Sequence, residues 1–316
     1  MLSDLHIANF RGFEDLHLEN LGRVNLVVGK NNTGKTALLE AIVLLADPSQ
    51  TESLPGLFRD HPGDVVQRYY RWLRKDDSDP ERSLIDTSVN GERLVLSLYP
   101  SKYLTEEGML KLCRFRNAAL DILRAPSKYS WTVRALSVHN RSANEVVAAY
   151  SKAVSPKGGE EQIERLLQTV DGRIQTVRLA TDGQGNLFIA VDIGLSERVP
   201  ILQIGQGVCR LVAIFSELLG HRPQIALIDE VENGIHHTVL PQVWKGIAEV
   251  AERVNVQIFA TTHSHECLEA AHGAFAERAS YDFRVIQLYR VDQRTGGRVL
   301  DRKLIEAALA GEIDLR

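Results

Sequence analysis

Cysteine is scarce. Three residues, Cys113, Cys209 and Cys267, are spread over 316, and no CxxC pair occurs. This excludes a disulfide framework or zinc ribbon and fits a reducing compartment. Long apolar runs are also missing. The longest helix-like stretch, residues 37–46, is interrupted by Glu40, whereas a bilayer span needs about 20 apolar residues. The opening MLSDLHIANFRGF has no basic start followed by an apolar segment, so no secretory signal is read there. A cytoplasmic protein without a membrane partner is expected. Charge of one sign is not in excess: 37 Lys and Arg face 41 Asp and Glu, a formal net charge of −4. A uniformly basic nucleic-acid coat is excluded, while a local basic face is not. No repeat, sustained heptad or low-complexity tail marks a solenoid or coiled coil. What remains, 44% hydrophobic and 25% charged, is an ordinary globular composition.

Three textures follow one another. In residues 1–47, segments 5–9 and 16–18 alternate apolar and polar, as half-buried strands do. Residues 24–28, VNLVV, are more uniformly apolar, as in a strand covered on both faces. Residues 36–46 read as a buried helix. Residues 48–199 are more irregular. Asn90-Gly91 between apolar segments 85–89 and 94–98 predicts a hairpin, residues 105–124 predict a helix, and a second helix is expected near 160–169. Strand-like segments 177–180 and 187–192 flank Asp182-Gly183-Gln184-Gly185. Residues 200–316 return to α/β alternation, with strands at 225–228, 256–260 and 283–291. A turn is expected at Thr295-Gly296-Gly297, and a helix over 303–310 closed by Gly311. The expected architecture is α/β: a core made of 1–47 and 200–316, with 48–199 as an insertion or lobe of the same head.

Four motifs carry chemistry. Gly29-Lys30-Asn31-Asn32-Thr33-Gly34-Lys35-Thr36 fits G-x-x-x-x-G-K-[ST] between a strand and a helix, where backbone N–H groups and a helix N-terminus cradle phosphates. Lys35 would reach the β- and γ-phosphates, and the Thr36 hydroxyl would ligate Mg²⁺. Asp229-Glu230 emerge from the apolar segment 225–228, at the strand end where α/β sheets bind ligands. Asp229 would hold Mg²⁺, and Glu230 would act as general base on water. His263 follows Thr261-Thr262 at the end of the next strand and is favoured over His265 as a γ-phosphate contact. Gly205 and Gly207 open the helix-like stretch 211–219, a second anion-binding terminus. Residues 68–75, RYYRWLRK, interleave basic and aromatic side chains as a single-strand nucleic-acid contact would. The favoured reading is an amphipathic helix that buries Tyr69, Trp72 and Leu73 and leaves a solvated basic face.

This order of phosphate loop, glycine signature, Asp-Glu strand and His strand resembles ABC-type ATPase heads of the chromosome-maintenance, RecF-like and OLD group. LHIANFRGF at 5–13, GKNNTGKTALLEAI at 29–42, IALIDEVENGIHH at 225–237 and FATTHSHECLEAA at 259–271 carry the resemblance, the last two toward the OLD branch. It implies a P-loop NTPase fold of the ABC-head type, with a mixed sheet flanked by helices, and ATP and Mg²⁺ as ligands. Gly29, Asn31, Asn32, Thr33, Gly34, Lys35 and Thr36 would bind nucleotide. Lys35, Glu230 and His263 would be catalytic, and Thr36 and Asp229 would hold the metal. Gly205 and Gly207 would act on the ATP of a partner subunit, and Gly234-Ile235-His236 would be the loop crossing that interface. Arg11 reads either as a nucleotide contact or as an ordinary surface arginine. Ile204 stands where the signature usually has a polar residue, and Gln67 is the weak candidate for the Q-loop glutamine. From Lys35 to Gly205 there is no room for long coiled-coil arms, and the chain after His263 is too short for a Toprim nuclease.

The resemblance therefore implies an ATP-hydrolysing switch, a homodimer closing on ATP. It would act in DNA repair or anti-phage defence, with a separate effector such as a nuclease or toxin, and DNA as a further candidate ligand. The alternative is a nucleotide-dependent sensor or scaffold with little hydrolysis, against which Glu230 argues. A transporter's cytoplasmic subunit is disfavoured by NFRGF and the altered signature.

Overall fold

A computed structural model of the chain describes residues 1–48, 57–58, 83–89, 92–100, 113–116, 120–124, 131–136, 142–292 and 294–311. Mostly apolar strands, buried on both faces, form its centre. Strands β3 (Val24–Val28), β12 (Ile225–Ile228) and β13 (Gln257–Thr261) are buried at every residue. They lie in a six-stranded sheet ordered β15-β14-β3-β13-β12-β8, with β8 at Val133–Leu136, β14 at Phe283–Val291 and β15 at Arg294–Leu300. The five strands from β14 to β8 run parallel, and β15 is antiparallel to β14. Because side chains alternate across a strand, Val24, Leu26, Ala226 and Ile228 join one core, and Val27, Ile225, Leu227 and Phe259 join the other.

The first core is covered by helices α2 (Ala143–Val154), α3 (Gly159–Gln168), α4 (Gln206–His221), α5 (Leu240–Arg253) and α6 (His265–Ala276). A small sheet of β9 (Thr176–Thr181), β10 (Leu187–Asp192) and β11 (Val199–Pro200) joins them. The second core is filled by α1 (Lys35–Ala46), in which every residue except Thr36 is buried. An antiparallel sheet lies over α1, ordered β2-β1-β4-β5-β7-β6. Its strands are β1 (Asp4–Phe10), β2 (Phe13–Glu19), β4 (Ser83–Val89), β5 (Glu92–Pro100), β6 (Cys113–Arg116) and β7 (Leu120–Arg124). The short helix α7 (Arg302–Leu309) follows β15. Two buried amides tie the layers together. Asn25 accepts from Gly22 N and donates to Gly22 O and Ile258 O, while Gln257 accepts from Leu2 N and donates to Leu2 O and Gly22 O.

The described parts of residues 48–199 are shared among these layers. β4 pairs with β1, β8 forms the far edge of the parallel sheet, and α2 packs on α4. The hairpin expected around Asn90-Gly91 has the register Val89↔Glu92. Two expectations are corrected. Within 105–124, the described residues form β6 and β7 rather than a helix, because the edge of β5 offers β7 an unpaired ladder and pairing outweighs local propensity. Thr295-Gly296-Gly297 is not a turn but lies inside β15. A Cβ on Gly296 would come within 2.7 Å of the Tyr289 ring, and one on Gly297 within 2.7 Å of Leu16 Cδ1, so these glycines serve close packing. Among the described residues, no helix is long and apolar enough to cross a membrane.

Candidate nucleotide site

Residues 29–34 link β3 to α1. Gly29 has φ 148°, and a Cβ there would lie 2.3 Å from Leu288 O. Gly34 has φ 93°, and a Cβ there would lie 2.9 Å from the Phe13 ring. Both positions need glycine on conformational and steric grounds. Thr33 Oγ1 donates to Lys30 O at 2.9 Å, closing the loop on itself, while Asn31 and Asn32 face solvent. Lys35 is buried, and its Nζ donates to Gly29 O at 2.6 Å and Lys30 O at 3.0 Å. Burial pulls its pKa down, opposed by the carboxylates of Asp229, Glu230 and Glu232. That opposition places all three acids in the field of the loop lysine. Thr36, partly exposed, begins the first turn of α1.

The carboxyl ends of β12 and β13 complete the site. Thr261, 1% exposed, donates its hydroxyl to Asp229 Oδ1 at 2.5 Å and accepts Glu230 N at 2.8 Å with the same oxygen. Glu230 has φ 47°, a left-handed conformation that costs a non-glycine residue energy and often marks functional positions. Its Oε2 accepts from Asn233 Nδ2 at 3.3 Å, and its Oε1 lies 3.8 Å from His263 Nε2, with both side chains about two-fifths exposed. The His263 backbone N–H donates to Glu232 Oε1 at 2.8 Å, and Thr262 N donates to Val27 O at 3.1 Å, next to the phosphate loop. A cavity of about 510 Å³ is lined by Gly29, Lys30 and Asn31 on one side and by Thr262, His263, Ser264 and His265 on the other.

Arg11 is not a surface arginine. It has φ 54°, and its guanidinium pairs with the buried Glu40 of α1, with Nε at 3.0 Å and Nη2 at 2.8 Å. Gly205 (φ 144°) precedes α4 and opens on free space. Gly207 packs against the loop after β12, where its Cβ would lie 2.7 Å from Gly234 O. Neither glycine lines the phosphate-loop cavity. Gln206 and Gly234 instead border a separate groove of about 550 Å³. Gln67 and the stretch 68–75 lie outside the described residues. The sequence reading gave no role to Thr261, Glu232, Glu40 or Arg210, although Arg210 Nη2 donates to Asp229 O at 2.7 Å. Each acts through a fold contact; the polar residues clustered at strand ends were the only hint available.

Two family models match, one described as "AAA ATPase domain" over residues 1–96 and one as "AAA domain, putative AbiEii toxin, Type IV TA system" over residues 114–269. The chain is 24% identical over 347 aligned positions to an ATP/GTP phosphatase of Helicobacter pylori, covering 88% of this chain and 89% of that protein. It is 30% identical over 118 positions to the DNA replication and repair protein RecF of Idiomarina loihiensis, covering 34% of this chain but only 33% of that protein. The fold is similar to the SMC head domain from Thermotoga maritima (TM-score 0.54, 12% identity, covering 95% of this chain and 99% of that one). It is also similar to an SMC head bound to the C-winged helix domain of ScpA (TM-score 0.60, 11% identity, covering 95% and 97%). The phosphate loop, the two family models and the phosphatase relative support a P-loop ATPase, and the fold is that of SMC heads. These matches support ATP hydrolysis as its activity.

Proposed function

We propose that the protein is a Mg²⁺-dependent ATPase head that closes as an ATP-sandwiched homodimer and passes that closure to a partner. The observation that carries this reading is the Thr261 hydroxyl, which joins Asp229 and Glu230 at the rim of the phosphate-loop region. In this reading one carboxylate serves the cation and one the water, and Thr261 holds the Asp229 side chain and the Glu230 backbone from a single buried atom.

The donor set fits a hard cation: Thr36 and Asp229 offer oxygens, and the acids around Lys35 leave local negative charge. Thr36 and Asp229 would hold Mg²⁺, which when bound neutralises charge on the phosphate oxygens. Lys35 exchanges its two loop carbonyls for phosphate oxygens when nucleotide enters. Glu230 takes a proton from the attacking water, whose oxygen bonds to the γ-phosphorus as the bond to the ADP oxygen breaks. His263, held through its backbone by Glu232, donates from Nε2 to the γ-phosphate. Gly205 and Gly207, absent from their own chain's phosphate cavity, contact the ATP of the second subunit. RecF matches and the toxin–antitoxin wording of one family model support DNA repair or anti-phage defence in the cytoplasm as the setting, with an effector on another chain.

In Glu230→Gln, turnover should fall by about 10²–10⁴ while ATP still binds. Light scattering should then give a doubled mass with ATP·Mg²⁺, but not with ADP, because the γ-phosphate supplies the differential contact. The double variant Lys35→Ala/Glu230→Gln should stay unresponsive. A Glu230→Gln protein with wild-type turnover, or with no response to ATP in mass or closure, refutes the sandwich.

A further inference from the structure

On the outer face of the antiparallel sheet, away from α1, a second polar cluster plays no part in the ATP chemistry. His6 and His17 are register partners across β1 and β2, and His6 and Asp86 are partners across β1 and β4. Asp15, two residues before His17, shares its face. The opposite residues, Leu5, Ile7, Leu16 and Leu18, are buried in the core, so the register fixes this row on the outside. Asp15 Oδ1 lies 2.8 Å from His6 Nε2 and 3.1 Å from His17 Nε2, and the two imidazoles stack with centroids 3.9 Å apart. The three ligand atoms all lie within 4.8 Å of one another. His6 Nδ1 is 2.9 Å from Asp86 Oδ2, and Asp86 Oδ1 accepts from Arg93 Nε at 2.7 Å. A cavity of about 420 Å³, lined among others by His6, His17, Asp86 and Arg93, opens beside them.

From this geometry we propose a metal site: His6 Nε2, His17 Nε2 and Asp15 Oδ1 bind one divalent transition ion of the zinc type. Two imidazoles and one carboxylate suit such an ion and not Mg²⁺ or Ca²⁺, which prefer oxygen ligands. Asp86 supplies what a ligating histidine ordinarily has, a carboxylate on its other ring nitrogen. It would hold the proton of His6 on Nδ1 when an ion replaces the proton that Nε2 donates to Asp15 Oδ1 in the metal-free protein. Arg93 holds Asp86 in turn. Three protein ligands leave the ion a fourth position for water or an anion, the arrangement of open rather than closed zinc sites. The ion would clamp β2 to β1 near the edge of the sheet that covers the phosphate-loop helix.

The test is equilibrium dialysis of the untagged full chain against Zn²⁺ alone, without nucleotide, followed by Co²⁺ substitution spectra. We expect one ion per chain, retained in Lys35→Ala. Binding should be lost in His17→Ala and Asp15→Asn, both at exposed positions, and weakened about 10–100-fold in Asp86→Asn. The Co²⁺ spectrum should lack a thiolate charge-transfer band, and Zn²⁺ should raise the Tm of wild type but not of His17→Ala. Mg²⁺-supported ATP turnover of His17→Ala should match wild type, which keeps this test separate from the nucleotide site. Absence of stoichiometric binding, equal binding by wild type and both ligand variants, or a thiolate band would each overturn the site.

Discussion

Thr261 shows how one buried hydroxyl organises two carboxylates. It donates to Asp229 and accepts from the Glu230 amide, so its removal leaves a part-buried N–H without this acceptor and takes one restraint from the Asp229 carboxylate. Thr261→Val keeps the shape but loses both bonds. Leaving such groups unsatisfied costs about 1–3 kcal/mol. kcat should fall at least tenfold while ATP affinity, measured by titration, changes little, because the phosphate loop is untouched. A variant with normal kcat would show that Thr261 serves stability alone. The phosphate loop, Asp229, Glu230 and His263 were legible as a string because their spacing follows the strand–loop–helix order. Thr261, Glu232 and Arg210 were not, because their partners lie 19–32 positions away and meet only when parallel strands align.

Among the elements, the crossing of α2 and α4 rests on Gly220. A Cβ there would lie 2.7 Å from Ala149 O and 3.0 Å from Ala153 N. These are backbone atoms that cannot rotate aside. Alanine is the better helix former by about 1 kcal/mol, but overpacking of this kind costs about 1–3 kcal/mol. Gly220→Ala should therefore lower the Tm by a few degrees in a thermal melt; a rise would mean the helices part freely. Strands buried on both faces were readable from predominantly apolar runs, as in β3 and β12. β6 and β7 were not, since their sequence favours a helix until β5 presents an edge. β15 was misread for a related reason: Gly296 and Gly297 signal a turn locally, but the Tyr289 ring and Leu16 side chain beside them decide.

For the whole molecule, the position of α1 matters most. It is enclosed between the parallel sheet and the antiparallel sheet, with its residues buried in the second core. Amides of α1 and β3 should therefore be the slowest to exchange in hydrogen–deuterium experiments, opening only with global unfolding. Those of β2, at the sheet edge, should exchange earlier. Fast exchange throughout α1 would show that the two sheets separate in the native state. The layered α/β head was legible from the order of segments. That β8 and α2 complete the core was not, because nothing in residues 48–199 signals that their partners lie beyond residue 200.

Gly207 and Gly234 bear on how this surface can vary over generations. With Gly234 O only 2.7 Å from where a side chain on residue 207 would begin, and with φ 75° at residue 234, a side chain at 207 would displace the turn and one at 234 would be strained. A side chain at 207, in the first turn of α4, would therefore require the turn at 234 to be remodelled. Variation in the groove beside them is instead open to Leu187 and Leu202, which stand exposed on its rim.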